Sequence, residues 1–116
     1  MGHATRYEHN LVKLIKRLRF DFHAPQAKFV LATLGQTNKT NPRGSEKPIL
    51  EAMFAVDGNS GKYPEFDGNV KTVYSHPLSK GGASNSHYGG NAETYMNVGE
   101  ALGQAFVEIS KNEFIK

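Results

Sequence analysis

The sequence predicts an α/β fold in the order helix-strand-helix-strand-helix with parallel strands, and three observations carry that prediction. A continuous apolar run, Phe29-Val-Leu-Ala-Thr-Leu34, is bounded by Gly35, the pattern of a strand covered on both faces. Before and after it lie segments whose apolar residues recur at three- and four-residue steps, the period of an amphipathic helix. A second, shorter candidate strand spans Val70 to Tyr74, and a strand-helix-strand order implies a right-handed crossover between parallel neighbours.

The first helix is expected over Thr5 to Phe22, where Tyr7, Leu11, Leu14, Ile15, Leu18 and Phe22 line one face. Thr5 with Glu8 three residues on fits a capping box, in which hydroxyl and carboxylate each satisfy an amide left open by the first turn. Pro25 ends the helix. After the strand at Phe29 to Leu34, a polar loop from Gly35 to Gly44 leads to Ser45, an expected N-cap. Pro48 is tolerated in the first turn, and Ile49, Leu50, Met53, Phe54 and Val56 form the apolar stripe. Asp57-Gly58 closes this second helix. A turn-rich stretch from Asn59 to Gly68 precedes the strand at Val70 to Tyr74, and a Gly/Ser/Asn-rich loop, Ser75 to Asn91, follows it. The last helix is expected from about Ala92 to Ile109, with Tyr95, Val98, Leu102, Ala105, Phe106 and Ile109 along one side. Gly99 and Gly103, one turn apart, are expected to let its backbone approach the sheet closely.

With 116 residues, 38% hydrophobic and 22% charged, residues 1–116 read as a single domain. Two parallel strands alone make a poor sheet whose open edges invite further pairing. The chain is therefore expected to be the carboxyl-terminal portion of a larger α/β sheet, or to complete its sheet with a partner chain or by self-association. No stretch approaches the roughly 20 apolar residues that cross a bilayer, and the start, MGHATRYEHN, lacks the apolar core of a signal peptide, so no membrane association is expected. Zero cysteines exclude disulfides, thiol catalysis and thiolate metal sites while leaving the compartment open. The net charge of +3 is spread thinly, and its densest cluster, Lys13, Lys16, Arg17 and Arg19, reads as the solvated face of a helix, so no nucleic-acid partner is expected. No cofactor is expected either.

The most informative stretch is Ser84-Asn-Ser-His-Tyr-Gly-Gly-Asn-Ala-Glu-Thr-Tyr-Met96, a loop histidine just ahead of a helix that continues Val98-Gly-Glu-Ala-Leu-Gly-Gln-Ala105. It resembles the final block of the sialate O-acetylesterase-like branch of the SGNH hydrolases, a family of carbohydrate esterases. Arg6-Tyr-Glu-His-Asn-Leu-Val12, Leu14-Ile-Lys-Arg-Leu-Arg19, Lys28-Phe-Val-Leu-Ala-Thr33, Lys62-Tyr-Pro-Glu-Phe66 and Gly68-Asn-Val-Lys71 resemble the family in the same order, so the resemblance covers nearly the whole chain. It implies a partial three-layer α/β/α SGNH (flavodoxin-like) fold and hydrolysis of acetyl esters on sugars. It also implies His87 as catalytic base. Tyr88 and Asn85 are the candidate substrate-binding residues, Tyr88 with Tyr95 by stacking on a sugar ring, although aromatics beside a helix start are more often packing residues. An imidazole suits that role because it accepts a hydroxyl proton near neutral pH and returns it to the leaving alcohol.

The chain departs from the family pattern in two places. An Asp usually stands three residues before the histidine and orients it, whereas Ser84 occupies that position, leaving a Ser-His dyad or a histidine oriented by a backbone carbonyl. The Gly-Asp-Ser or Gly-Gln-Ser-Asn nucleophile block has no counterpart. Gly35-Gln-Thr-Asn38 mimics it with Thr37 in the serine's place, and the favoured reading is a polar loop at a strand end. The chain is thus expected to be inactive alone. The alternatives are a non-catalytic glycan-binding or assembly module, and a minimal esterase using Thr37 and His87. His76 and His87 have no third His or carboxylate at ligand spacing, so no metal site is expected. Gly58-Asn-Ser-Gly61 reads as a turn, and His3, His9 and His23 as surface or helix-end residues.

Overall fold

Two parallel strands, β1 (Phe29–Ala32) and β2 (Val70–Val73), pair in register from Phe29 opposite Val70 to Ala32 opposite Val73. Among the described residues four helices accompany them: α1 (Gly2–Thr5), α2 (Tyr7–Asp21), α3 (Glu46–Ala55) and α4 (Ala92–Ile115), with 3₁₀ turns at Gly58–Ser60, Pro64–Phe66, His76–Leu78 and His87–Gly90. The computed structural model describes residues 2–80 and 87–115, and the side chains of 87 and 112–115 lie outside that description. The mixed α/β class and the parallel pairing follow the order of elements read from the sequence.

Side chains alternate along a strand, so the two faces of the pair carry different residues. On one face Ile15 of α2 closes against Val56, Phe66 and Val70, with Leu11, Val12, Phe29, Leu31 and Tyr63 packed around them. Each large apolar side chain enclosed there contributes about 1.5–3 kcal/mol relative to exposure. The opposite face meets α4, which lies against both strands, buries Val98, Ala105 and Ile109, and pairs Glu108 with Lys71 of β2 at 4.0 Å.

Several expectations are corrected. The first helix breaks at Arg6, and Thr5 belongs to α1, its hydroxyl donating to the Gly2 carbonyl at 3.0 Å. No capping box forms, because Glu8 accepts instead from the Tyr63 hydroxyl and from Lys62 at 2.6 Å. Leu14 and Phe22 of the expected apolar stripe are 54% and 74% exposed, so the core takes only the Ile15 side of α2. Arg19 does not join a solvated face: at 8% exposed, its Nη2 donates to Asn69 Oδ1 at 2.8 Å and to the Ala27 carbonyl at 2.7 Å, and its guanidinium lies 5.5 Å from the centroids of Phe29 and Phe66. Burial pushes its pKa down, and Glu65 partly offsets this. Both strands are shorter than expected, ending at Ala32 and Val73. Ser45 precedes α3 without capping it through its side chain; Glu46 accepts from the Arg43 amide at 3.0 Å instead.

Helix α4 extends six residues beyond the expected Ile109, since nothing in Ser110-Lys-Asn-Glu-Phe-Ile115 breaks it. Its start is capped by Asn91, whose Oδ1 accepts from the Thr94 amide at 2.8 Å. Gly99 and Gly103 are exposed, and a Cβ added at either meets nothing within 4 Å, so neither serves close approach to the sheet. Their spacing of four residues sets them on one side of α4, and that side faces away from the strands.

Candidate functional site

Side chains take over where the backbone ladder stops. The Thr33 amide still donates to the Val73 carbonyl at 2.9 Å; beyond it, the Ser75 amide donates to Thr33 Oγ1 at 3.0 Å and the Ser75 hydroxyl to the Thr33 carbonyl at 2.5 Å. Both residues are buried, so the clasp satisfies polar groups that water cannot reach. It holds the two chain exits, Leu34 to Asn38 and His76 to Lys80, side by side at the carboxyl ends of the strands. Open α/β sheets gather ligand chemistry at that end.

His76 is tied into this junction by Nδ1, 2.8 Å from the Gly35 carbonyl oxygen. A carbonyl only accepts, so Nδ1 carries the proton and, in the neutral ring, Nε2 keeps the lone pair. The Tyr74 ring lies 6.1 Å from the imidazole and 6.0 Å from Phe54. The Tyr74 hydroxyl accepts from the Lys39 amide at 2.8 Å, and Lys39 Nζ sits 5.0 Å from the ring centroid. The loop after β1 is thereby stitched to the loop after β2.

The third contributor is the turn His87–Gly90. Tyr88 adopts φ +53°, rare for an aromatic residue, and its ring fills the place where a Cβ on Gly35 would be: that atom would fall 2.2 Å from Cε1 and 2.5 Å from Cδ1. Only glycine fits at position 35. Tyr88 also meets Tyr95 edge-on, with centroids 5.1 Å apart and planes at 86°. Behind the turn, Thr94 Oγ1 accepts from the Lys80 amide at 2.9 Å and Lys80 Nζ reaches Glu93 at 2.9 Å, so α4 grips the chain leaving β2.

Of the residues singled out in the sequence, the backbone of His87 opens this turn, while its imidazole lies outside the described residues, as do Ser84 and Asn85. Tyr88 reaches the carboxyl end of β1, half-buried, and packs against Gly35 and Tyr95. Thr37 is 1% exposed and its Oγ1 has no hydrogen-bond partner among the described residues, so no substrate reaches it as it stands. Gly58–Ser60 forms the expected turn, with Asp57 Oδ1 accepting from the Asn59 amide at 2.7 Å. Among the described residues no three His, Asp or Glu side chains group as metal ligands. Among them also, no helix is long and apolar enough to cross a membrane.

The residue that sequence reasoning undervalued is His76, considered only as half of a metal pair. Its available signal was position: it follows β2 by three residues and is fixed by Pro77 in a tight turn, at the sheet end where function collects. Beside the same junction, Gln36, Asn38, Asn41, Arg43 and Glu46 line a cleft of about 340 Å³. Its amide and guanidinium side chains supply donors and acceptors in the mixture that a polyhydroxylated ligand requires. No family model, curated protein or solved structure matches this chain.

Proposed function

We propose that residues 1–116 form the carboxyl-terminal part of an SGNH-type carbohydrate O-acetylesterase, with the three-layer α/β/α arrangement of that family, holding the histidine base and taking its serine from a polypeptide segment outside these residues. The observation that carries this reading is the seating of Tyr88 on Gly35, which brings the turn opened by His87 to the carboxyl end of β1. In this mechanism the imidazole of His87 accepts the proton of an incoming serine as its oxygen attacks the acetyl carbonyl, then returns it to the sugar hydroxyl as the ester C–O bond breaks. Water repeats the sequence on the acetyl-enzyme and releases acetate. Tyr88 and Asn85 contact the sugar. Ser84 stands where the family has its orienting carboxylate, so the site works as a Ser-His dyad or with a backbone carbonyl orienting the ring.

The test begins with the DNA preceding the coding region: a Gly-Asp-Ser or Gly-Gln-Ser-Asn block in frame is expected there or on a partner chain. The joined polypeptide should release acetate from O-acetylated sugars, and His87→Ala should lower turnover by ~10²–10⁴-fold. Unchanged turnover in that variant, or an unrelated upstream region behind its own start signal, rejects the esterase reading.

The enclosure of Thr37 favours a second reading over a minimal Thr37–His87 esterase: a non-catalytic glycan-binding or assembly module using the polar cleft at Gln36, Asn38 and Arg43. That module self-associates or binds saccharides as the isolated chain without hydrolysing 4-nitrophenyl acetate, and a well-behaved monomer that ignores sugars eliminates it.

A further inference from the structure

At the end of the sheet opposite Gly35 and Tyr88, the last turns of α2 and the turn Pro64–Phe66 border an open cavity of about 460 Å³. It is lined by Lys16, Arg19, Phe20, His23, Pro25 and Glu65, and small-molecule sites in general measure roughly 300–1,000 Å³. Arg19 is the buried charge among these residues. Its Nε and Nη2 are committed to neutral acceptors, the Ala27 carbonyl and Asn69 Oδ1. Nη1 has no partner among the described residues and is not sealed from solvent, so its N–H groups are left to meet whatever enters the cavity. Among the same residues no carboxylate pairs with the guanidinium: Glu65 acts on it from a distance and is itself tied to Lys16 at 2.8 Å. A charge withdrawn this far from water ordinarily has a counter-charge. With His23 neutral, Lys16 and Arg19 against Glu65 leave the lining one positive charge, which one negative charge neutralises.

Two further features border the same space. Phe20 offers the cavity a ring that is 72% exposed, braced by the Arg17 guanidinium 5.7 Å from its centroid. His23 follows α2 in the left-handed conformation, φ +52°; its amide donates to the Phe20 carbonyl at 3.2 Å, and the Ala24 amide to the Arg19 carbonyl at 2.8 Å. This form of helix closure favours glycine, which meets no steric penalty there. A histidine held in it despite the strain puts an imidazole on the cavity wall that glycine would not supply.

We infer that this cavity is a binding site for a small monoanion with a flat apolar body, an aromatic monocarboxylate in chemical class. The carboxylate accepts from Arg19 Nη1 and from Lys16 Nζ, an ammonium that keeps N–H donors beyond the one given to Glu65. The ring of the ligand lies against Phe20 and Pro25, and His23 closes the wall beside it. A dianionic phosphate ester exceeds the charge of the lining by one. The site requires nothing of His87, so it stands or falls apart from the esterase reading.

Titration of the whole chain with benzoate, followed in ¹H–¹⁵N spectra, tests the site. Benzyl alcohol serves as the neutral counterpart and acetate as the charge without the ring. Benzoate should saturate with a Kd at or below about 1 mM, and both comparators should bind at least about tenfold more weakly. The Arg19 Nε–H signal and the amides of Phe20 and His23 should follow one isotherm. Arg19 is bonded into the fold, so the variants come from the exposed lining. Phe20→Ala and Lys16→Gln should each weaken benzoate by about fivefold or more while the urea midpoint stays near the parent's. His23→Gly should hold or raise the midpoint by relieving the backbone and still weaken benzoate, an opposition that a purely structural histidine would not give. Benzoate binding no better than benzyl alcohol or acetate, no saturation, or parental affinity in Phe20→Ala or Lys16→Gln overturns the assignment. Signals that move around Gln36, Asn38 and Arg43 instead place the anion in the other cleft and overturn it equally.

Discussion

His76 and Gly35, 41 residues apart in the chain, are joined at 2.8 Å from imidazole Nδ1 to carbonyl oxygen. Because the carbonyl cannot donate, the neutral ring is held as the Nδ1–H tautomer with Nε2 facing away from the bond. Long-range ¹H–¹⁵N spectra should find Nδ1 protonated and Nε2 bare. His76→Ala strands the Gly35 carbonyl and should lower stability by about 1 kcal/mol in urea titrations. A ring protonated on Nε2 alone, or a variant as stable as the parent, contradicts the bond.

Thr37 makes the opposite prediction. Its buried hydroxyl has given up water without gaining a partner among the described residues, a cost of about 1–3 kcal/mol for such a group. Thr37→Val removes the hydroxyl at nearly constant volume, so the denaturation midpoint should stay level or rise, with the slope unchanged. A loss of more than about 1 kcal/mol would reveal a bond to that oxygen.

The contrast between these two residues marks what the sequence could disclose. Periodicity revealed the three long helices, because burial of Ile15, Met53, Val98 and Ile109 imprints itself at short range. A continuous apolar run revealed β1, and the order of elements the parallel pairing of the strands. Contacts made over long separations leave no such imprint. Thr5 and Glu8 have the spacing of a capping box, but Glu8 is drawn to Tyr63, 55 residues away. Arg19 looks like one more surface cation until Asn69, 50 residues on, and two aromatic rings enclose it. The gathering of Gly35, His76 and Tyr88 arises from three loops meeting at one sheet end, and Gly35 was legible only as the bound of a strand.

The Glu8 carboxyl lies below its ordinary 4.5 because Lys62 and then the Tyr63 hydroxyl hydrogen-bond to it. A depressed pKa in the folded state contributes stability that is full above 4.5 and is lost as pH falls through the folded value. Tyr63 is shifted the other way by the same bond, from 10.0 up to about 12, so its contribution is full below 10.0 and is lost as pH rises toward about 12. Thermal midpoints should decline on both flanks. Glu8→Gln should flatten the acid flank, and Tyr63→Phe the alkaline one while leaving part of the acid flank to Lys62. Profiles of both variants that overlay the parent after a constant offset would dissociate this pair from the pH dependence.

Gly35 and Tyr88 should behave as one energetic unit. A Cβ on residue 35 would fall 2.2 Å from the Tyr88 ring, so Gly35→Ala must displace the ring and with it the turn that His87 opens. Crowding of this kind costs about 1–3 kcal/mol. Removing the ring first should remove the conflict: in a Tyr88→Ala background the same Gly35→Ala change is expected to be nearly neutral. Denaturation of the four proteins in this double-mutant cycle should give a coupling of about 0.5–3 kcal/mol, and additivity within about 0.5 kcal/mol would mean the ring does not rest on Gly35.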